Sequence, residues 1–197
     1  MMEKISIKPG NTFCPQALFL YGTNKEDGTP NFGLFCWFSY CWDSELTVMA
    51  CIGDNKLTKD RIRSERVFSA NLVSESLLSL ADYLGNTEGY TDKKMDIPLA
   101  VERGSVLNVP VLKDSPWTFE LEVKEEIGLK GSDIFICKIR NTLVAKDLID
   151  STMDLNQKMQ LCAPAIWTSS GKYGDYFSLN KSSIGATNYL KGSFTKQ

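Results

Sequence analysis

Residues 31–42 read Asn31-Phe32-Gly33-Leu34-Phe35-Cys36-Trp37-Phe38-Ser39-Tyr40-Cys41-Trp42, and the fold turns on how this run is read. It is rich in aromatic residues and free of charge, which predicts a β-strand. Side chains alternate between the two faces of a strand. The even face is Phe32, Leu34, Cys36, Phe38, Tyr40 and Trp42, apolar or aromatic throughout, and suits a barrel interior. The odd face is Asn31, Gly33, Phe35, Trp37, Ser39 and Cys41, an aromatic surface mixed with an amide, a hydroxyl and a glycine. A solvent face would carry charge, and a dry core would avoid Asn. The odd face therefore suits a flat ligand with polar edges. A dimer interface or a second packed layer would give the same pattern.

Outward from this run, strand signals recur at hairpin spacing. Ala17 to Thr23 is a β-prone segment closed by a turn containing Asp27-Gly28. Asp43-Ser44-Glu45 interrupts the aromatic run, and Leu46 to Ile52 returns to strand. A tight hairpin there sets Trp37 opposite Cys51 and Ser39 opposite Met49, a register that a one-residue slip would invert. Thr58 to Arg66 reads as a short helix with Thr58 as its N-cap and Asp60 in the first turn. Val67 to Val73 is a strand, and Ser74 to Leu84 a helix capped by Ser74 and ended by Gly85. Residues 86–116 are loop-rich, with one short strand near Gly104 to Val111. Two further strands, Trp117 to Glu126 and Asp133 to Val144, are joined by a turn holding Gly128 and Gly131. From Cys162 the chain alternates aromatic and small polar residues (Trp167, Tyr173, Tyr176, Phe177) and reads as loops packed on the main body. Many strands and two helices predict a mainly β protein, a barrel with helical decorations.

A chain of 197 residues with 43% hydrophobic and 23% charged residues fits one domain. A net charge of −2 and the lack of a basic stripe argue against a nucleic-acid partner. The opening MMEKISIKPG has no apolar run, and the longest apolar stretch, Phe32 to Trp42, is too short to span a bilayer. The expectation is a soluble, cytoplasmic protein with no membrane partner. Six cysteines without a C-x-x-C pair read as buried thiols sooner than as a disulfide or metal framework. The chain has no histidine, which removes Ser–His and Cys–His catalysis and the usual proton shuttle. Any catalysis must use other acids, a metal, or a cofactor that brings its own chemistry. Neither G-x-G-x-x-G nor a P-loop is present.

The segment Cys51 to Arg63, CIGDNKLTKDRIR, feeds a helix N-terminus, where free backbone N–H groups and a positive dipole end favour phosphate. Thr58 supplies a hydroxyl, with Lys56, Lys59 and Arg61 in local reach. Read alone, the same residues fit a capped helix with a solvated, cationic surface.

Taken in order, PQALFLYGT, DGTPN (Asp27 to Asn31), the strand with Trp37 and Ser39, LTKDRIRSERVFSANLVS and DKKM resemble the flavin reductase-like family, nearest its flavoredoxin branch. The resemblance spans roughly residues 12–145, with an echo at Tyr176-Phe177-Ser178-Leu179. It implies an FMN-binding split β-barrel, an antiparallel Greek-key barrel assembled as a homodimer with non-covalent FMN near the interface. By that likeness Asn31 bonds the flavin ring edge, Trp37 contacts the ring, Thr58 binds the phosphate, and Lys94, or else Lys93, reaches the cofactor. With the neighbours named above, the candidate cofactor-binding set is Asn31, Trp37, Phe38, Ser39, Cys51, Thr58, Arg61 and Lys94. One departure stands out. Flavoredoxins place a histidine near the flavin where this chain has Ser132-Asp133, so one of these takes over a hydrogen bond or the contact is lost.

Residues 1–197 are thus expected to form one domain, with 146–197 as a C-terminal extension packed on the barrel. The implied activity is an NAD(P)H-dependent flavin reductase, with NADH or NADPH as transient donor and no catalytic side chain. The alternative is a flavoredoxin-type carrier that retains FMN and exchanges electrons with a protein partner. A barrel that binds without redox chemistry is the third reading.

Overall fold

The aromatic run is two strands joined by a break. The structure, a computed structural model, describes residues 2–169 and 174–179. In chain order the strands are β1 (Gln16–Ala17), β2 (Phe19–Asn24), β3 (Pro30–Phe35), β4 (Phe38–Asp43), β5 (Glu45–Gly53), β6 (Val67–Leu72), β7 (Val101–Arg103), β8 (Pro110–Leu112), β9 (Trp117–Gly128), β10 (Ser132–Val144), β11 (Ala165–Ser169) and β12 (Gly174–Ser178). The helices are α1 (Leu57–Glu65), α2 (Leu78–Asn86) and α3 (Leu155–Cys162). The main sheet runs β3-β2-β6-β9-β10-β5-β4, antiparallel throughout. Its two outer strands, β3 and β4, are consecutive in the chain and separated only by Cys36 and Trp37. So short a joint between opposite edges forces the sheet to curl until those edges approach each other. That is a barrel, split at its seam.

The break resets the alternation of faces. Phe35, on the odd side, stacks on Tyr21 at 4.7 Å between ring centroids, while Phe38, on the even side, packs on Phe19 at 4.3 Å. Both join the barrel core of Tyr21, Val48, Ile52, Ile62, Phe68, Phe119, Leu121 and Phe135. The even residues Phe32, Leu34 and Cys36 instead enter a second core with Leu18, Leu20, Ala81 and Leu84, under α2. The reading of one continuous strand with an even interior face is therefore corrected. On β3 the odd face turns to the barrel core and the even face to the second layer, the reverse of the reading. The odd face expected to carry a flat ligand therefore does not run unbroken from Asn31 to Trp37, and Tyr40 and Trp42 end up exposed. The hairpin register holds: Ser39 pairs with Met49, and Cys51 N donates to Trp37 O at 2.9 Å.

Helix starts differ from the sequence reading. The N-cap of α1 is Lys56, without a side-chain cap, and Thr58 lies inside the first turn because its hydroxyl is engaged by β3. A 3-10 turn, Glu75–Leu77, precedes α2, and the Ser74 hydroxyl meets Ser76 and does not cap. Gly85 lies within α2 and does not end it: a Cβ there would sit 2.9 Å from Leu34 Cβ, so the glycine lets the helix lie on β3. The loop-rich stretch holds a hairpin, β7 with β8, in place of a single strand. Glu120, fully buried, accepts from the backbone N–H groups of Ser105, Val106 and Leu107 and from Asn141 Nδ2, and so pins the loop between β7 and β8.

From Cys162 onward the tail holds two strands where loops were expected, and a helix, α3, leads into them. Asp154 and Gln157 form a capping box on α3, and β11 pairs with both β1 and β12. Trp167 and Tyr176 pack on the second core; Tyr173 lies outside the described residues. All six cysteines are free, and burial pushes Cys36 up to about 11 and Cys137 up to about 12. Among the described residues no helix is long and apolar enough to cross a membrane.

Candidate functional site

Where α1 begins, its first turn abuts the start of β3. Asn31 is fully buried there, and its Nδ2 donates to Thr58 Oγ1 at 3.0 Å and to Thr23 Oγ1 at 3.3 Å. The other side-chain atom, Asn31 Oδ1, is buried without a partner. Two glycines keep this corner open. A Cβ on Gly33 would lie 2.9 Å from Thr58 Oγ1, and a Cβ on Gly89 would lie 2.9 Å from Leu57 Cβ and 3.4 Å from Asn31 Oδ1. The Gly89 loop is anchored on α1 by the Tyr90 hydroxyl, which donates to Asp60 Oδ2 at 2.5 Å.

Lys94 closes the cleft from the 3-10 turn Asp92–Met95, lining it with Gly33, Lys56, Thr58 and Gly89. Its side chain is 4% exposed, and among the described residues no carboxylate lies within ion-pair distance of it. Burial, then the nearby Lys56, lowers its ammonium to about 8, while Glu88 pulls the other way. A buried cation next to another cation is an arrangement that an anion relieves. Lys93 is exposed and lines a separate depression with Lys25 and Asp96, so of the two candidate lysines only Lys94 shares the cleft.

Trp37 sits at the seam, 47% exposed, and a Cβ on Gly53 would lie 3.6 Å from its Cζ3. Gly53 pairs with Ser132, and Cys51 with Ile134, so Ser132 shares the Trp37 side of the sheet. Asp133 faces the opposite way. It is buried, with Lys59 Nζ at 3.0 Å and Arg63 Nη2 at 2.7 Å. Burial alone would raise its carboxyl, but the hydrogen bond from Lys59 and the charge of Arg63 hold it below the ordinary range. Of Ser132 and Asp133, Asp133 is thus committed to α1, and Ser132 is the one on the Trp37 side.

The remaining candidates are dispersed. Phe38 is a core ring, and the Ser39 hydroxyl is exposed on β4. Arg61 points away from Thr58: its Nε donates to Asn24 O at 2.8 Å and its guanidinium pairs with Glu65 at 2.5 Å and Glu26 at 3.4 Å. Gly89 was not singled out in the sequence; a glycine in a polar loop carries no signal until its neighbour is known.

The set suits a phosphate ester. It offers a hydroxyl at a helix start, free backbone N–H groups, a buried ammonium and the close approach that Gly33 and Gly89 allow, with Glu88 also on the cleft wall. The Asn31 acceptor, buried without a partner, stands at the same corner.

Comparison with known proteins bears on the family and the fold. The family model described as "Flavin reductase like domain" matches residues 12–167. No curated protein matches the chain significantly. Among solved structures, flavoredoxin from Methanosarcina acetivorans is similar with a TM-score of 0.83 at 20% identity, covering 98% of this chain and 100% of that one. Flavoredoxin of Desulfovibrio vulgaris (Miyazaki F) follows with 0.81 at 21% identity, covering 93% and 97%. An FMN-binding protein from Thermus thermophilus, solved with bound p-hydroxybenzaldehyde, gives 0.73 at 18% identity, covering 94% and 100%.

Proposed function

The chain belongs to the flavin reductase-like domain family, and from that premise we propose that it is an FMN-dependent oxidoreductase reduced by NADH or NADPH. Family membership makes it a flavin-binding redox protein; the choice of FMN and of a nicotinamide donor is our own reading. One observation carries that reading: the buried Lys94 ammonium, with no carboxylate in ion-pair distance among the described residues, shares a cleft with Thr58 at the start of α1. Thr58, Lys94 and the first N–H groups of α1 hold the phosphate, and Lys56 adds charge at the rim. Trp37 lies against the ring system, with Cys51, Gly53 and Ser132 as its floor and Ser132 as a hydrogen-bond donor to its edge. When bound, the flavin supplies the two-electron chemistry. The chain's own residues bind, orient and exclude water, and none has to move a proton, which suits a sequence without histidine.

The working unit is a homodimer. The outer face of β4, β5 and β10 presents Trp37, Met49, Cys51, Ile134 and Ile136, none of them fully buried, where a solvent face would carry charge. Six free thiols suit a reducing compartment such as the cytoplasm.

The depth of the anion hold also supports a second reading. A phosphate gripped by a lysine that is only 4% exposed is released slowly, as a carrier serving a protein partner requires. Anaerobic mixing of the FMN-loaded chain with NADH and with NADPH separates the two: rapid bleaching supports the reductase, and persistent colour supports the carrier. A chain that takes up no FMN in a fluorescence titration refutes both.

A further inference from the structure

Asn31 spends both its amide hydrogens inside the protein, one on Thr58 Oγ1 at 3.0 Å and one on Thr23 Oγ1 at 3.3 Å. A threonine hydroxyl has one proton to give and two lone pairs to receive with. Inside a helix that proton commonly returns to a carbonyl one turn back, where it is lost to any ligand. The Asn31 amide fills a lone pair of Thr58 Oγ1 from the β3 side. Gly33, whose missing Cβ would stand 2.9 Å from the same oxygen, leaves the remaining side of the hydroxyl open toward the cleft that Lys94 lines.

Rotating the amide by half a turn would reverse this relation. The carbonyl oxygen would then accept from Thr58, and the NH2 group would take the buried position near Gly89 now held by Oδ1. That exchange strands two buried donors in place of one buried acceptor. Orphaned buried N–H groups are the rarer and costlier defect, so the donating orientation is favoured.

We propose that Asn31 is a positioning residue for the anion subsite: it presets the Thr58 hydroxyl to donate to the ligand phosphate. The inference rests on the proposed flavin site, and assigns Asn31 to the phosphate end of it. The consequence is a pattern of selectivity. Loss of Asn31 should weaken FMN, which carries the phosphate, and spare riboflavin, which lacks it.

The test is a double-mutant cycle on the full chain, with dissociation constants for FMN and for riboflavin from flavin fluorescence. Thr58→Val is expected to cut the preference for FMN over riboflavin roughly tenfold or more, the scale of one hydrogen bond to a charged group. Asn31→Ala is expected to cut it by a similar factor, and the double variant by no more than either alone. Should Asn31→Ala fold poorly, Asn31→Asp keeps the shape of the side chain but can only accept. The Thr58 proton then turns toward it, while riboflavin affinity stays within about threefold. Because the added carboxylate also repels the phosphate, the hydroxyl's share is the part of the lost FMN preference that vanishes in the Thr58→Val background. Equal losses for both flavins, or losses that multiply in the double variant, overturn the inference and leave the site standing. A wild-type chain that binds neither flavin overturns the site and the inference together.

Discussion

The Lys59 ammonium lies 3.0 Å from the Asp133 carboxylate, both side chains buried, and so ties α1 to the first residues of β10. Arg63 adds a second bond to the same carboxylate from the next turn of the helix. The N-terminus of α1 is aimed by this pair.

Breaking it strands a charge. Asp133→Asn should destabilise the fold by about 3–5 kcal/mol, the usual cost of removing one partner of a buried ion pair. Replacing both, as Lys59→Met with Asp133→Leu, should cost much less than the sum of the single changes. Urea unfolding of the four proteins checks this, and additive losses would show that the two charges are not coupled. Because the Asp133 carboxyl is held below its unfolded value, its contribution is present above about pH 4 and disappears as the pH falls through the folded value.

Lys94 sets a limit at the other end of the scale. Its ammonium, lowered to about 8, is charged below that pH and neutral above it. FMN affinity should therefore fall as the pH rises from 7 to 9, while riboflavin affinity stays level across the same range. Lys94→Met should remove the slope and weaken FMN at pH 7. The sign for the flavin-free fold is the opposite: the unfolded chain keeps this proton to about 10.4, so stability gains between about 8 and 10. A flat FMN profile would refute a role for the charge.

Gly33→Ala asks for space that is absent, since its Cβ would meet Thr58 Oγ1 and the Phe35 ring, each at 2.9 Å. A loss of about 1–3 kcal/mol in stability is expected from overpacking. FMN binding should weaken in step, because the hydroxyl that moves is the one proposed to hold the phosphate. Calorimetric unfolding and a flavin titration check the two halves separately.

Glu120 holds three backbone N–H groups and Asn141. Burial would raise its carboxyl, yet the bonds from Leu107, Asn141, Val106 and Ser105 outweigh it and keep the group below the usual range. Glu120→Gln turns an NH2 group on these donors and should cost about 3 kcal/mol, seen by urea unfolding at pH 7. The wild-type advantage should shrink at low pH, as the carboxyl of the native protein takes up its proton.

Much of this was legible in the sequence. Most strands of the main sheet and the Ser39–Met49 register follow from alternation, turn residues and chain order, whereas Asn31 and Thr58 were brought to one site only by the family resemblance. The break at Cys36-Trp37 was not legible, because nothing in an unbroken apolar run marks where one strand hands over to another. Thr58 looked like a cap because Ser and Thr before a helix usually cap. Only the tertiary contact with Asn31 shows its hydroxyl engaged elsewhere. Arg61 looked like a phosphate ligand from its spacing, and the carboxylates of Glu26 and Glu65, which claim it, are visible only once the chain is folded. The tail misled for a similar reason: β11 is short, and its pairing with β1 bridges distant parts of the chain.

The joint of two residues between β3 and β4 also bears on how this gene can vary. Inserting or deleting one residue there would exchange inner and outer sides for everything up to the next turn, sending Phe38 out of the core or Phe35 into the wrong layer. Cys36 and Trp37 each have a task of their own, but the length of the joint is fixed independently of them. A library of single-residue insertions should find this spot among the least forgiving in the protein, although it is neither a helix nor a strand.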